Sequence, residues 1–147
     1  MLAGLTLAGC SPIVATQPAA DANNPQCANV MVHLPDTLQD LAQRETDAQA
    51  TSAWGDPERV LLTCGVEVPS ASELPCVEVD GVYWLRNDDA DPLFVFTTFG
   101  RDPAVDVAVE NTDEIAPGLV LGDLSDAIGL LPTNGLECTS VEDSLSG

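Results

Sequence analysis

The chain has 147 residues, 45% of them hydrophobic, which is enough for one domain with a packed core and too apolar for wholesale disorder. Its formal charge is −20, carried by 24 acids against only four cations, all of them Arg: Arg44, Arg59, Arg86 and Arg101. Such a chain repels nucleic acid and anionic lipid headgroups, and a single His removes most His-based catalysis and multi-His metal sites.

Residues 1–10 read as an address. Leu7-Ala8-Gly9-Cys10 looks like a bacterial lipobox, in which small residues precede a Cys that is lipidated after the leading peptide is removed. Each buried acyl CH₂ contributes about 0.8 kcal/mol, so a multiply acylated Cys10 holds a domain firmly on a membrane. The apolar stretch is short for a signal and lacks a basic flank, which places the expected start of the signal peptide upstream of Met1. Residues 11–26 carry three Pro and no apolar period and read as a flexible tether. Residues 27–140 then form a single domain, and 141–147 a flexible tail.

With Cys10 assigned to lipidation, Cys27, Cys64, Cys76 and Cys138 remain. An even count in an exported chain reads as two disulfides. Zinc would need close Cys pairs or a second His, and the chain has neither. Cys27 opens the first apolar segment and Cys64 lies in the strand Val60–Val66, so Cys27–Cys64 with Cys76–Cys138 is preferred, each bridge worth about 4 kcal/mol. The rival pairing, Cys64–Cys76 with Cys27–Cys138, stays open.

Ala28–His33 is short and apolar and reads as a strand. Asp36 and Gln39 resemble a capping box, and Leu38, Leu41 and Ala42 share a helical face, which predicts a helix over Thr37–Arg44. Thr46–Trp54 allows helix but is read as a strand. Trp54-Gly55-Asp56-Pro57 is a turn leading into the strand at Arg59–Val66. Leu93–Phe99, Gly100-Arg101-Asp102-Pro103 and Ala104–Glu110 echo that layout, so two hairpins are expected. Cys76–Leu85 reads as a strand bent at Gly81. Val105, Val107 and Val109 alternate with polar residues, leaving one face buried. Leu121, Leu124, Ile128 and Leu131 repeat at helical spacing, with Asp123 as N-cap and Pro132 as the stop. The polar chain from Thr133 is held by Cys138 alone. The sum is an α+β fold: an antiparallel sheet of five to six strands, one or two short helices, and disulfide staples.

Cys27-Ala28, Leu34-Pro35, Ala53–Pro57, Leu62–Val66, Val79–Trp84 and Phe96–Arg101 together resemble an actinobacterial family of envelope proteins, the domain of unknown function 3515. The resemblance implies a secreted or lipid-anchored domain and favours Cys27 and Cys64 as partners. It brings no catalytic residues and no cofactor.

Bland readings prevail for the remaining candidates. His33 lacks a nucleophile partner and reads as structural or solvent-facing. Asn87, Asp88, Asp89 and Asp91 could offer oxygens to Ca²⁺, but the loop lacks the EF-hand Gly and Glu, so a solvated turn is preferred. Arg44 and Arg101 are expected to pair with acids rather than clamp a ligand. Trp54, Tyr83 and Trp84 are expected to pack hairpins rather than line a sugar site. The expected function is therefore a monomeric cell-envelope lipoprotein, held to the membrane by its anchor, with no nucleic-acid role. It is a non-enzymatic binding or accessory module for an envelope protein or glycan. The alternatives are a carboxylate-based envelope hydrolase and a calcium-stabilised structural domain.

Overall fold

Asn24 and Pro25 start the first element. The structure, a computed structural model, describes residues 12–138. The Asn24 side chain accepts from the Gln26 backbone N–H at 2.9 Å and caps α1 (Pro25–Met31), while Pro25 occupies a position whose N–H is not needed. Cys27 and Val30, three residues apart, turn the same fully buried face inward. The strand expected at Ala28–His33 is thus corrected to a helix, because so short an apolar run has no decisive period and the Asn-Pro start signal decides it.

The helix expected at Thr37–Arg44 is likewise corrected, to a hairpin of β1 (Thr37–Leu38) and β2 (Leu41–Arg44). Gln39 and Asp40 form its two-residue turn with positive φ of 46° and 71°. Gln39 does not cap a local helix. Its side-chain amide reaches Ala116, donating to the carbonyl at 3.2 Å and accepting from the N–H at 3.3 Å. β3 (Thr51–Trp54) and β4 (Val60–Val66) pair from Trp54–Val60 to Thr51–Thr63. The expected bend at Gly81 is a full hairpin between β5 (Cys76–Val79) and β6 (Val82–Ala90), because Asp80-Gly81 supplies positive φ at both turn positions. β7 (Leu93–Thr98) and β8 (Ala104–Glu110) complete the second expected hairpin.

These strands form one eight-stranded antiparallel sheet in the order β1-β2-β3-β4-β8-β7-β6-β5. The sheet exceeds the expected five to six strands because two segments read as single elements are hairpins. It consists of two four-strand meanders that meet along β4 and β8. The echoing Trp54–Pro57 and Phe99–Pro103 segments close the last hairpin of each meander, with Gly55 at φ 100° and Gly100 at φ 94°.

One sheet face packs under the helices. Trp54, Val60, Leu62, Trp84, Val105, Val107 and Val109 meet α1 and α2 (Pro117–Ile128), which presents Val120, Leu121, Leu124, Ala127 and Ile128. Pro117, with Ala116 as N-cap, begins α2 well before Asp123, which is an exposed interior residue and not the cap. The bridge Cys27–Cys64, with both residues fully buried, fastens α1 to β4 within this core. Strand register carries Thr51, Thr63, Asp106, Thr97, Leu85 and Cys76 across the opposite, outer face as one row.

Both ends of the described chain lie against the sheet. Of the expected tether, Pro25 and Gln26 belong to α1, buried Val14 bridges Thr46, and the Asp21 N–H donates to the Gly65 carbonyl at 3.0 Å. Gly65 has φ 100°, and a Cβ there would come within 2.5 Å of Asp21. At the other end Cys138 joins Cys76, but it is not the sole restraint on the tail. Asn134 donates to the Gly100 carbonyl, Asp102 donates to the Pro132 carbonyl, both at 3.0 Å, and Thr133 bridges Arg101. Cys10 and residues 141–147 lie outside the described residues.

Gly100 and Gly81 separate two costs. Gly81 has open space around it but φ 88°, so Gly81→Ala should cost about 1 kcal/mol of backbone strain. A Cβ on Gly100 would also collide with the Leu136 carbonyl oxygen, so Gly100→Ala should cost roughly 3 kcal/mol. Urea denaturation of the two variants measures the difference, and equal losses would mean that the tail does not press on Gly100.

Candidate ligand-binding cleft

Residues 67–75 join β4 to β5 and contain two Pro among small and polar residues, so no regular element forms. Ser72 accepts from the Leu74 N–H at 3.0 Å, and the Pro75 carbonyl accepts from Arg86 at 2.9 Å, which seats the loop against β6. Cys76 follows on the outer face, opposite Leu85. The tail arrives from the far side, where Arg101 and Gly100 hold it, and ends at Cys138.

Between loop and tail lies a cleft of about 520 Å³, within the usual range for small-molecule sites. Leu74, Pro75, Leu85, Phe99 and Leu136 line it together with the Cys76–Cys138 bridge. Ser70, Ser72, Glu73 and Glu137 supply its polar side chains. Tyr83 stands on the same face, opposite Glu78. The charge of Glu137 raises the Tyr83 pKa, aided by desolvation and by Glu78, while Arg101 opposes the shift. The local potential is therefore negative.

The four cations weaken this potential without cancelling it, and each is engaged within the domain. Arg101 donates to the carbonyls of Leu131 at 2.7 Å, Gly129 at 3.1 Å and Gly81 at 3.4 Å. It closes the C-terminal end of α2, where a cation meets the negative end of the helix dipole. The expected acid partner is thus replaced by backbone. Arg44, 9% exposed, donates to the Gly55 and Pro12 carbonyls and lies 3.6 Å from Asp56. Arg59 pairs with Glu110 at 3.4 Å and Glu114 at 3.7 Å. Arg86 pairs with Asp88 at 3.6 Å and lies over the Phe94 ring.

The remaining sequence candidates fall elsewhere. His33 is exposed, its Nδ1 hydrogen-bonded to the Asn29 carbonyl at 2.8 Å. Trp54 and Trp84 are wholly buried in the inner core, with the Trp54 indole donating to the Pro35 carbonyl at 3.0 Å. Asn87, Asp88 and Asp89 lie at the irregular end of β6, and Asp91 in the turn beyond it. Asn87 accepts from the Asp89 N–H at 2.9 Å. Among the described residues no group of three or more His, Cys, Asp or Glu could hold a metal ion. The sequence reading missed both the cleft and Asp106. This carboxylate, in the central row, accepts from the Thr97 hydroxyl at 2.6 Å, yet burial raises its pKa. The Thr63–Asp106–Thr97 row was foreshadowed only by the alternation of β8.

The model for the family described as Protein of unknown function (DUF3515) matches residues 7–135. The chain belongs to this family. The match runs through all of the expected tether as well as the sheet, in accord with the packing of Val14 and Ala22. No curated protein and no solved structure matches the chain. The two disulfides of this DUF3515 chain fit an oxidising compartment outside the cytosol, and no helix among the described residues is long and apolar enough to cross a membrane.

Two measurements check this geometry. Cys27 and Cys64 are fully buried whereas Cys76 and Cys138 are partly exposed, so mild reductant should open Cys76–Cys138 first. Timed alkylation followed by peptide mapping reads the order. Asp106 supplies the second. Its raised pKa means that the ionised form costs stability above the folded pKa, and that this cost fades as pH falls towards the ordinary carboxyl value of 3.8. Asp106→Asn keeps an acceptor for Thr97 and should raise Tm at neutral pH, with the gain vanishing in acid. A variant less stable than the parent at neutral pH would contradict the assignment.

Proposed function

We propose that this chain is an extracytoplasmic binding or accessory module of the cell envelope, tied to the outer face of the membrane through lipid on Cys10. In this reading it is non-enzymatic and monomeric, and its partner is a basic envelope protein or a cation-bearing glycan. The observation that carries the reading is the disposition of charge. With 24 acids against four Arg, and each Arg already engaged within the domain, the surface meets a partner as an anion. Charge of one sign steers a cationic partner and repels nucleic acid and anionic headgroups. A small domain exposed outside the cytosol also gains from two staples, since each closes a long loop of the unfolded chain. The lipobox-like Leu7–Cys10 and the resemblance to envelope proteins support the location.

Fractionation and capture test the proposal together. The protein should sediment with membranes and carry added acyl mass, and Cys10→Ser should release it. On a column, immobilised protein should retain a basic component of envelope extract at low salt and lose it as ionic strength rises. Recovery from cytosol with free thiols would overturn the location, and salt-independent capture would overturn the charge argument.

A further inference from the structure

The cleft between residues 67–75 and the tail has a lining of one kind and charges of one sign. Its walls are Leu74, Leu85, Phe99 and Leu136 over a disulfide, and the ionisable side chains on it are the carboxylates of Glu73 and Glu137. Leu85 is almost wholly buried and gives a firm floor, while both Glu are exposed and keep their charges in water. Arg101 keeps its charge and weakens the negative potential, but it is held by three backbone carbonyls and forms no ion pair with either Glu among the described residues. We infer that this cleft binds a small amphiphilic cation, its apolar body on Leu85, Phe99 and Leu136 and its positive head between Glu73 and Glu137.

Complementarity selects this class over its neighbours. An anionic amphiphile of the same shape would bring its head against two carboxylates. A purely polar cation would leave the apolar walls in water and gain only two exposed ion pairs, each weak by itself. An uncharged apolar molecule would fill the cavity without using the Glu pair. The raised Tyr83 pKa beside Glu137 agrees with a negative potential at this end of the sheet. A cationic head also gains from aromatic faces, and Phe99 is one of the cleft's own residues. The inference rests on the reading of the chain as a binder of cationic partners and assigns one site and one ligand class to it.

The test uses the full chain with both disulfides intact and three probes: decyltrimethylammonium below its micelle concentration, decanesulfonate, and tetramethylammonium. Calorimetry should rank decyltrimethylammonium at least roughly tenfold above each of the others, the difference that a favourable head and a buried tail together imply. NMR shifts should concentrate on Leu74, Leu85, Phe99 and Leu136. The double substitution Glu73→Gln/Glu137→Gln, both at exposed positions, should weaken decyltrimethylammonium roughly fivefold and leave decanesulfonate no weaker. Leu136→Ala should weaken decyltrimethylammonium without abolishing its preference over decanesulfonate. Equal binding of the two decyl probes, tetramethylammonium binding as tightly as its decyl homologue, or shifts confined to other parts of the sheet would each overturn the assignment. None of these outcomes bears on membrane attachment or capture of a basic macromolecule, so failure here is separable from failure of the envelope reading.

Discussion

Four guanidinium groups are the scarce resource in a chain of net charge −20. Surface attraction cannot hold such a molecule together, because most carboxylates have only other carboxylates and water for company. The fold instead spends its cations where one charge can satisfy several backbone acceptors. Arg101 gathers carbonyls from Gly81, Gly129 and Leu131, and so joins the β5–β6 turn to the end of α2. Arg44 does the same for Gly55 and Pro12, joining the β3–β4 turn to the amino-terminal segment. A charged donor to a carbonyl is worth more than an exposed ion pair, most of all where it is buried, as between Arg44 and Gly55.

The remaining cohesion is apolar and covalent. The inner face of the two meanders is rich in β-branched residues and Trp, and two helices cover it. Cys27–Cys64 then anchors α1 where the sheet is most buried. Among the described residues the outer face has no second layer of helices. Its cover comes from the two ends of the described chain and the 67–75 loop, which leaves a cavity where loop and tail meet. The echo between Trp54–Pro57 and Phe99–Pro103 helps to explain this layout. Each meander closes with a similar hairpin, and each such hairpin receives one terminal segment: Pro12 through Arg44 at the first, residues 132–134 through Arg101 and Gly100 at the second.

Much of this was legible in the sequence, and the failures have common causes. The alternation of Val105, Val107 and Val109 marked β8 correctly, and a Gly followed by Asp-Pro, directly at Gly55 and after Arg101 at Gly100, marked both hairpins. The long helix was visible because Leu121, Leu124 and Ile128 hold the 3.6-residue period over several turns. Short elements carry too few residues for period to decide between helix and strand. At Ala28–His33 the Asn-Pro cap was the better signal and was outweighed by apolar content. At Thr37–Arg44 the helical face was coincidental, and the turn rests on Gln39 and Asp40 in a conformation that sequence alone seldom reveals. Asp80-Gly81 was a readable hairpin signal that was taken for a bend. The cleft was illegible for a different reason. Leu74, Leu85, Phe99 and Leu136 are far apart in the chain and meet only through strand register, a close approach at Gly100 and the pairing of Cys76 with Cys138.

That dependence ties the cleft to the compartment. Beyond Asn134 the described tail meets the sheet at few points, among them Glu137 beside Tyr83 of β6. The Leu136 N–H turns back on the Asn134 side chain at 3.1 Å, and the covalent attachment of this segment is the sulfur of Cys138. Leu136 and Glu137, one wall of the cleft and half of its charge, are therefore held in a loop closed by a disulfide. Reducing that bridge would leave the inner core and Cys27–Cys64 intact but remove the far anchor of this wall. The two bridges consequently have different consequences: one holds a helix to the core, and the other gives the outer face its concavity. A cleft built in this way is complete only where thiols oxidise, so the ligand site and the compartment that suits the fold depend on the same bond.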